Sequence, residues 1–405
     1  MIKKINVADL KVGMFVEDLN CGWMDHPFLR SRIALERDDQ IEKIREAGIR
    51  EVYIDPVRGL DAPGQDIVEV ERELDREMVA FAEAAEPPQR QTSLREEAES
   101  ARRIQGEANQ LIRDLMQDVR LGRQIQSERV EPVVEKITES ILRNNGALLS
   151  LCRIKNKDDY TFQHSVSVCG LQTAFCRALR LSPEEIHEAG IGGLLHDIGK
   201  TRVPDEILNK PGRLTDAEFA QIKCHVVESR RILEATPGIS MIAVQVAAQH
   251  HERHDGSGYP LGLKGAQISQ MGQMAAIVDV YDAITSDRCY HKGMEPTEAM
   301  RKIFEWSKFH FNPDLVHAFT RCIGIYPTGS LVRLESGRLA VVIGQCVDNL
   351  LKPLVRVVFH ARHGHYLAPE DIDLSKPLGR GGGDRIVQHE HPETWGIDIA
   401  RFLVG

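Results

Sequence analysis

The chain has no surplus of positive charge. Its 51 lysines and arginines are outnumbered by 60 aspartates and glutamates, giving a formal net charge of −9. That argues against a broad electrostatic grip on nucleic acid or an anionic membrane, although a local cationic pocket is still allowed. Aromatic residues are scarce, at 5%. Long apolar runs are missing as well. The most apolar stretch in the middle of the chain, Ile239 to Ala248, is broken by Gln245 and is far too short to span a bilayer. Met1-Ile2-Lys3-Lys4 leads into a mixed polar stretch without the apolar segment of a secretory leader, so no export signal is expected. The cysteines, at 21, 152, 169, 176, 224, 289, 322 and 346, never show Cys-x-x-Cys spacing. Free thiols in a reducing cytoplasm are the expectation.

What is present is core-forming material and an excess of histidine. A chain of 405 residues with 42% hydrophobic and 27% charged residues suggests two or three packed domains and excludes wholesale disorder. There are 16 histidines, ten of them between His164 and His317. Composition does not explain that clustering, but a metal site is the obvious candidate.

Along the chain, residues 1–58 read as a small α+β module. Phe15-Val16 and Val52-Tyr53-Ile54 look like short strands, and Ile41 and Ile44 have helical spacing ahead of a stop at Gly48. Residues 59–149 read as linker and connector helices. The part from 60 to 93, rich in charge and alanine and carrying Pro87-Pro88, is expected to be a linker or a mobile surface helix. Ile104, Ala108, Leu111 and Leu115 make one helical stripe, and Val130, Val134, Ile137 and Ile141 another. These stripes either pack within the chain or form a dimerising, signal-relaying surface. Residues 150–326 are strongly helical, with capping boxes at Ser182–Glu185 and Thr215–Glu218. Residues 327–405 read as a β-rich appendage built on Leu331–Leu334, Ala340–Ile343 and Val355–Phe359, with a flexible glycine run at 381–383.

The chemistry concentrates in the helical part. His196-Asp197 follows the apolar run 191–195, and adjacent imidazole and carboxylate groups near a helix end can share one cation. The dipeptide alone is weak evidence. Its company is not: His164, His225, His250-His251 and Asp279 sit in other helix-patterned segments. A single histidine on such a face is usually a hydrogen-bonded core residue, but burying this whole set without partners would be costly. Metal removes that cost. His164, His196, Asp197 and Asp279 suffice for one ion, and His225, His250 and His251 for a second, with Asp197 bridging. Two cations roughly 3.5–4 Å apart can share a hydroxide and stabilise the entering and leaving oxygens of phosphoryl hydrolysis.

These residues resemble the HD phosphohydrolase superfamily. His250-His251-Glu252-Arg253-His254-Asp255-Gly256-Ser257-Gly258-Tyr259-Pro260 narrows the resemblance to the HD-GYP family of bacterial cyclic di-GMP phosphodiesterases. Leu195–Lys200, Lys210–Thr215 and Asp279–Ala283 support it. Residues 1–58 are similar to an uncharacterised domain that often precedes HD-GYP domains. The implied fold is mainly α: an all-helical HD-type metal phosphohydrolase domain with a small α+β N-terminal module and a β-rich C-terminal appendage.

By resemblance, His164, His196, Asp197, His225, His250, His251 and Asp279 are metal ligands, with Fe or Mn as the ions. Lys200 contacts the scissile phosphate, where a cation opposes charge on the non-bridging oxygens. Asp282, one helical turn after Asp279, can face the same cavity and contacts substrate or the hydroxide. Arg288 contacts phosphate or guanine, or else only makes a salt bridge. Tyr259 lies in a constrained loop that flanks the site and can receive diguanylate cyclase (GGDEF) domains; direct substrate contact by Tyr259 is an open alternative. Where some members carry a third-metal glutamate, four residues before His164, this chain has Tyr160, and Asp158 and Asp159 fall at the wrong helical offsets. Two metals are therefore expected. The implied reaction is hydrolysis of cyclic di-GMP to linear pGpG, with onward conversion to GMP left open. A cyclic di-GMP receptor or partner-docking module with little turnover is the alternative. Nucleic acid is not an expected partner, and a homodimer through the connector helices is left open as an alternative.

Overall fold

A computed structural model describes the chain apart from residues 1, 23–25, 27, 29–31, 84–93, 153–159, 209, 211–213, 287–292, 346–348, 378–382 and 404–405. The N-terminal part is an antiparallel sheet of five strands, β1 (Lys3–Asn6), β2 (Phe15–Asp18), β3 (Ile33–Ala34), β4 (Glu51–Ile54) and β5 (Gln65–Asp66), in the order β3-β2-β4-β1-β5. Helix α1 (Asp38–Glu46) closes its core with Ile41 and Ile44. Gly48 ends that helix at φ +74°, a conformation only glycine adopts without strain. Strand β5 pairs with β1, Lys3 opposite Asp66, so the sheet reaches beyond residue 58.

Residues 67–83, which composition suggested were linker or mobile surface helix, form helix α2 (Ile67–Glu83). Its Val70, Leu74 and Met78 are buried in the main core. The charge-rich composition hid a 3–4 apolar stripe. Residues 84–93, Pro87-Pro88 included, lie outside the described residues. Helices α3 (Leu94–Arg120) and α4 (Ser127–Cys152) then pair with each other. Both stripes are buried and join the core of the helices that follow, so they pack within the chain.

Helices α5 (Tyr160–Ala178), α6 (Pro183–Leu195), α7 (Asp205–Leu208), α8 (Asp216–Glu234), α9 (Met241–Gln249), α10 (Gln270–Thr285), α11 (Pro296–Trp306) and α12 (Pro313–Ile323) make up the HD-type domain. Both expected capping boxes are present, Ser182 with Glu185 and Thr215 with Glu218. Helices α5 and α10 are buried nearly all round, which is why they carry no amphipathic stripe.

The C-terminal appendage is a second antiparallel sheet. Its strands β6 (Leu331–Leu334), β7 (Arg338–Gly344), β8 (Leu354–His360), β9 (His365–Asp373) and β10 (Ile386–Glu390) run in the order β10-β6-β7-β8-β9. Alternate residues feed separate apolar clusters, Leu331, Leu339 and Val341 on one face and Val332, Ala340 and Val342 on the other. Part of the glycine run at 381–383 lies outside the described residues. Among the described helices, none is long and apolar enough to cross a membrane.

The N-terminal sheet is fastened to α11 by buried polar groups. Glu305 takes an ion pair from Lys4 at 2.6 Å and hydrogen bonds from the Tyr53 hydroxyl at 2.8 Å and Asn20 at 3.2 Å. Trp306 donates to Asn20 at 3.0 Å, and Lys302 pairs with Asp18 at 3.1 Å. Breaking one partner of such a buried set strands the others away from water, so the contact has a defined geometry.

Candidate metal centre

Five helical segments bring the seven proposed ligands to one place. His164 comes from α5, His196 caps α6 with Asp197 beyond it, His225 comes from α8, His250-His251 close α9, and Asp279 comes from α10. Each is at least 94% buried by relative exposure, between 0% for His196 and His225 and 6% for Asp279. The backbone sets how three of the rings point. The Nδ1 groups of His196, His225 and His250 donate to the carbonyls of Gly193, Ile222 and Ala247 at 2.8, 2.7 and 2.8 Å. Each Nε2 is thereby turned into the cluster.

There the donor atoms crowd together. Nε2 of His196 is 3.3 Å from Nε2 of His164, and Nε2 of His225 is 3.4 Å from Nε2 of His250. Asp197 spans the two halves. Its Oδ2 lies 3.3 Å from His196 and its Oδ1 3.3 Å from His225. Asp279 is 3.0 Å from His164. Three overlapping groups result: His225 with His250 and His251, His164 with His196 and Asp279, and His196 with Asp197 and His250. Imidazole nitrogens and carboxylate oxygens converging at this spacing fit divalent cations of the Mn, Fe or Zn class.

The electrostatics are those of a cation site. Burial would raise the Asp197 carboxyl, but Lys200 and His196 beside it outweigh that and hold it well below the usual range. Burial likewise opposes Asp279, which hydrogen bonds from His164 and His196 keep ionised. His196 is pushed up to about 10 because Asp197 and Asp279 overcome its burial. Burial takes His225 down to about 4, with Lys200 adding to it. Burial and the neighbouring His196 take His250 to about 3. Two ionised carboxylates and the neutral imidazoles of His225 and His250 thus stand ready as metal donors, while His196 would have to give up its proton to bind.

The backbone next to Asp197 is a short 3-10 turn, Ile198–Arg202, pressed against α8. Gly199 makes that approach feasible, since a Cβ there would run into the His225 carbonyl and the Ser229 amide. Its own N–H donates to Ser229 Oγ at 2.8 Å. The turn aims Lys200 so that Nζ lies 2.5 Å from Asp197 Oδ2, with the side chain 19% exposed at the edge of the site.

The one-turn spacing from Asp279 implied that Asp282 faces the same cavity. Its Oδ2, however, lies 2.6 Å from Nδ1 of His164, on the far side of that ring. Such a carboxylate–histidine pair fixes tautomer and ring orientation. Tyr259 stacks on His251 with centroids 4.7 Å apart and planes 26° apart. Tyr160 stacks on His164 at 5.7 Å, at the position of the third-metal glutamate. Asp158, Asp159, Arg288 and the pair His291-Lys292 lie outside the described residues.

Two contributors were given no role from sequence. Lys223 Nζ sits 4.9 Å from the Tyr259 ring, through a pairing of α8 with the loop after α9 that no local spacing announces. Glu252 accepts from the amides of Leu261 and Leu263 at 2.8 and 2.9 Å, tying the loop's far limb to its start. Glu252 stood in the His250–Pro260 motif, but its hold on the loop's far limb could be read only from the fold.

Comparison with known proteins places this architecture. The HD domain family matches residues 152–315, and the family described as "Domain of unknown function (DUF3391)" matches residues 2–130. The cyclic di-GMP phosphodiesterase PA4108 of Pseudomonas aeruginosa is 43% identical over 396 residues, 98% of this chain and 94% of its own. The chain belongs to the HD-GYP family of cyclic di-GMP phosphodiesterases. Other relatives match a smaller share of the chain. A cyclic di-GMP phosphodiesterase of Thermotoga maritima is 37% identical over 41% of this chain and 45% of its own. A 3'3'-cGAMP-specific phosphodiesterase of Vibrio cholerae is 41% identical over 38% of this chain and 36% of its own. The N-terminal match runs well past the first sheet, into α4, so the HD-GYP domain here is flanked by a module that packs on it rather than by a free tether.

Proposed function

We propose that the chain hydrolyses one phosphodiester of cyclic di-GMP to give linear pGpG, with two divalent ions, Fe or Mn, in its metal centre. The observation that carries this reading is the convergence of five histidines and two aspartates, with ring nitrogens turned inward by backbone carbonyls, beside a cationic Lys200. His164, His196 and Asp279 would hold one ion, His225, His250 and His251 the other, and Asp197 would lie between them. The ions would supply charge neutralisation at the phosphate and an activated water.

The chain's own residues do the rest. Lys200 leaves Asp197 for the scissile phosphate and opposes charge building on its non-bridging oxygens. Asp282 holds the His164 ring by its Nδ1 proton and so keeps Nε2 on the metal side. Tyr259, stacked on His251, presents its ring edge and Lys223 at the rim where a guanine base could lie. Tyr160 replaces a carboxylate donor, which favours two ions over three and pGpG as the product. Arg288 would contact phosphate or guanine. The division we propose is 1–58, 59–149, 150–326 and 327–405, with strand β5 of the second segment completing the sheet of the first and the loop around Tyr259 as the docking point for diguanylate cyclase domains. A cytoplasmic setting accords with free thiols at Cys169, Cys176, Cys224 and Cys322.

The test is product analysis with Mn or anaerobically loaded Fe, on cyclic di-GMP and 3'3'-cGAMP in parallel, with His196→Ala/Asp197→Ala as control. Faster turnover of cyclic di-GMP to pGpG, absent in the control, is expected. Tight binding of cyclic di-GMP without turnover would make the chain a receptor. Preferential cleavage of 3'3'-cGAMP would overturn the substrate assignment.

A further inference from the structure

Away from the metal centre, a second group of metal-type donors joins two parts of the chain that are far apart in sequence. Strand β10 ends at Gln388-His389-Glu390, followed by His391 in extended backbone. Alternation along the extended chain places His389 and His391 on one side and Glu390 on the other. Glu390 turns into the appendage, where it accepts from Arg333 at 2.6 Å and from Trp395 at 2.9 Å. His389 and His391 face helix α11, with ring centroids 5.9 Å apart. There they meet Glu298, in the first turn of that helix, whose Oε1 lies 3.3 Å from His391 Nε2. One donor atom from each of the three residues lies within 4.8 Å of the other two.

We propose that Glu298, His389 and His391 form a divalent-cation site of the zinc class that pins the C-terminal sheet to helix α11. Two imidazoles and one carboxylate are a recurrent zinc donor set that leaves a position for water. The scaffold for it is already fixed on both sides. Thr297, next to Glu298, donates to Ser330 at the start of β6 at 3.1 Å, and β10 is laddered to β6 with His389 opposite Val332. The nearby cation, Arg301, is engaged by Asp75 through hydrogen bonds of 2.8 and 3.0 Å, so its charge is offset. The same helix carries Lys302, Glu305 and Trp306 in the contact with the N-terminal sheet. A metal here would therefore join the appendage to the helix that also anchors the opposite end of the protein.

The site is tested on the full chain by zinc titration, using Co(II) absorption as a second readout. In a His196→Ala/Asp197→Ala background, which weakens the metal centre, adding His389→Ala/His391→Ala should remove one further zinc per chain and the tetrahedral Co(II) band. His391 is exposed, so His391→Gln tests the site without endangering the fold. It should weaken zinc binding at that site at least ~10-fold, the low end of the cost of losing even an outer-shell partner. In the otherwise unaltered chain, His391→Gln should leave Mn-supported phosphodiesterase turnover unchanged. Equal zinc stoichiometry and affinity with and without His389 and His391 would overturn the proposal and reduce the cluster to a surface ion pair.

Discussion

Asp282 is the residue for which sequence and structure make opposite forecasts. A substrate contact would act on turnover; a carboxylate on His164 would act on metal affinity. The pair is buried, with His164 2% and Asp282 4% exposed, and its 2.6 Å separation marks a charge-assisted hydrogen bond. Bonds of that kind contribute about 1.5–3 kcal/mol, or roughly 10- to 100-fold in an equilibrium constant. Asp282→Asn keeps an oxygen that can accept the Nδ1 proton but loses the charge, so its metal affinity should fall about 10-fold. Asp282→Ala loses both and should fall about 100-fold. The assay is calorimetric Mn titration of metal-stripped protein, paired with kcat measured at saturating Mn. Turnover of Asp282→Asn should return towards the unaltered level once the metal is saturating. Unaltered Mn affinity together with a kcat defect that added metal does not rescue would refute the reasoning and return Asp282 to the substrate.

Four further outcomes can be checked. Lys200→Met should retain Mn binding while kcat falls about 10²- to 10³-fold, the usual effect of removing one donor to a developing oxyanion; a lowered metal stoichiometry would instead make Lys200 a support for Asp197. Because His196 sits near 10 in the metal-free chain, metal must displace its proton, so Mn affinity should rise with pH between about 6 and 9 and calorimetry in buffers of different ionisation enthalpy should show proton release; pH-independent binding would contradict this. Burial opposes ionisation of Glu305 and Asp18, but Lys302 holds both below their ordinary values, so their contribution to stability is full above pH ~4.3 and is lost as pH falls through the depressed values. Chemical denaturation followed by Trp306 fluorescence should show that loss, and equal stability at pH 5 and pH 3 would exclude it. Gly48→Ala places a Cβ against the Ser257 side chain at φ +74°, and should cost about 1–2 kcal/mol from backbone strain alone, read as a lowered denaturant midpoint.

Much of the site was legible because its chemistry is written in residue types. Histidines and aspartates are rarely left buried together without a task, and the runs around His196-Asp197 and His250–Pro260 are contiguous in the chain. Capping boxes at Ser182 and Thr215 were legible for a similar reason, since a cap is a local hydrogen-bond exchange over four residues. The strands from Leu331 to Phe359 declared themselves by β-branched runs between turns. By contrast, α2 was obscured because three buried apolar residues among many charges look like solvent-facing sequence until a partner helix covers them.

The sequence alone determined which histidines, aspartates and lysine are available to the proposed site and the order of the elements that carry them. Only the tertiary structure decided what each donor faces. Backbone carbonyls three residues upstream orient His196, His225 and His250, and Asp282 reaches His164 across 118 positions of chain. Glu305 gathers Lys4, Asn20 and Tyr53 from the far end of the molecule, and Glu298 meets His391 across the join with the appendage. Spacing along a helix or strand reports neighbours within one element. Contacts between elements depend on how apolar faces pack, and that packing is a property of the whole chain.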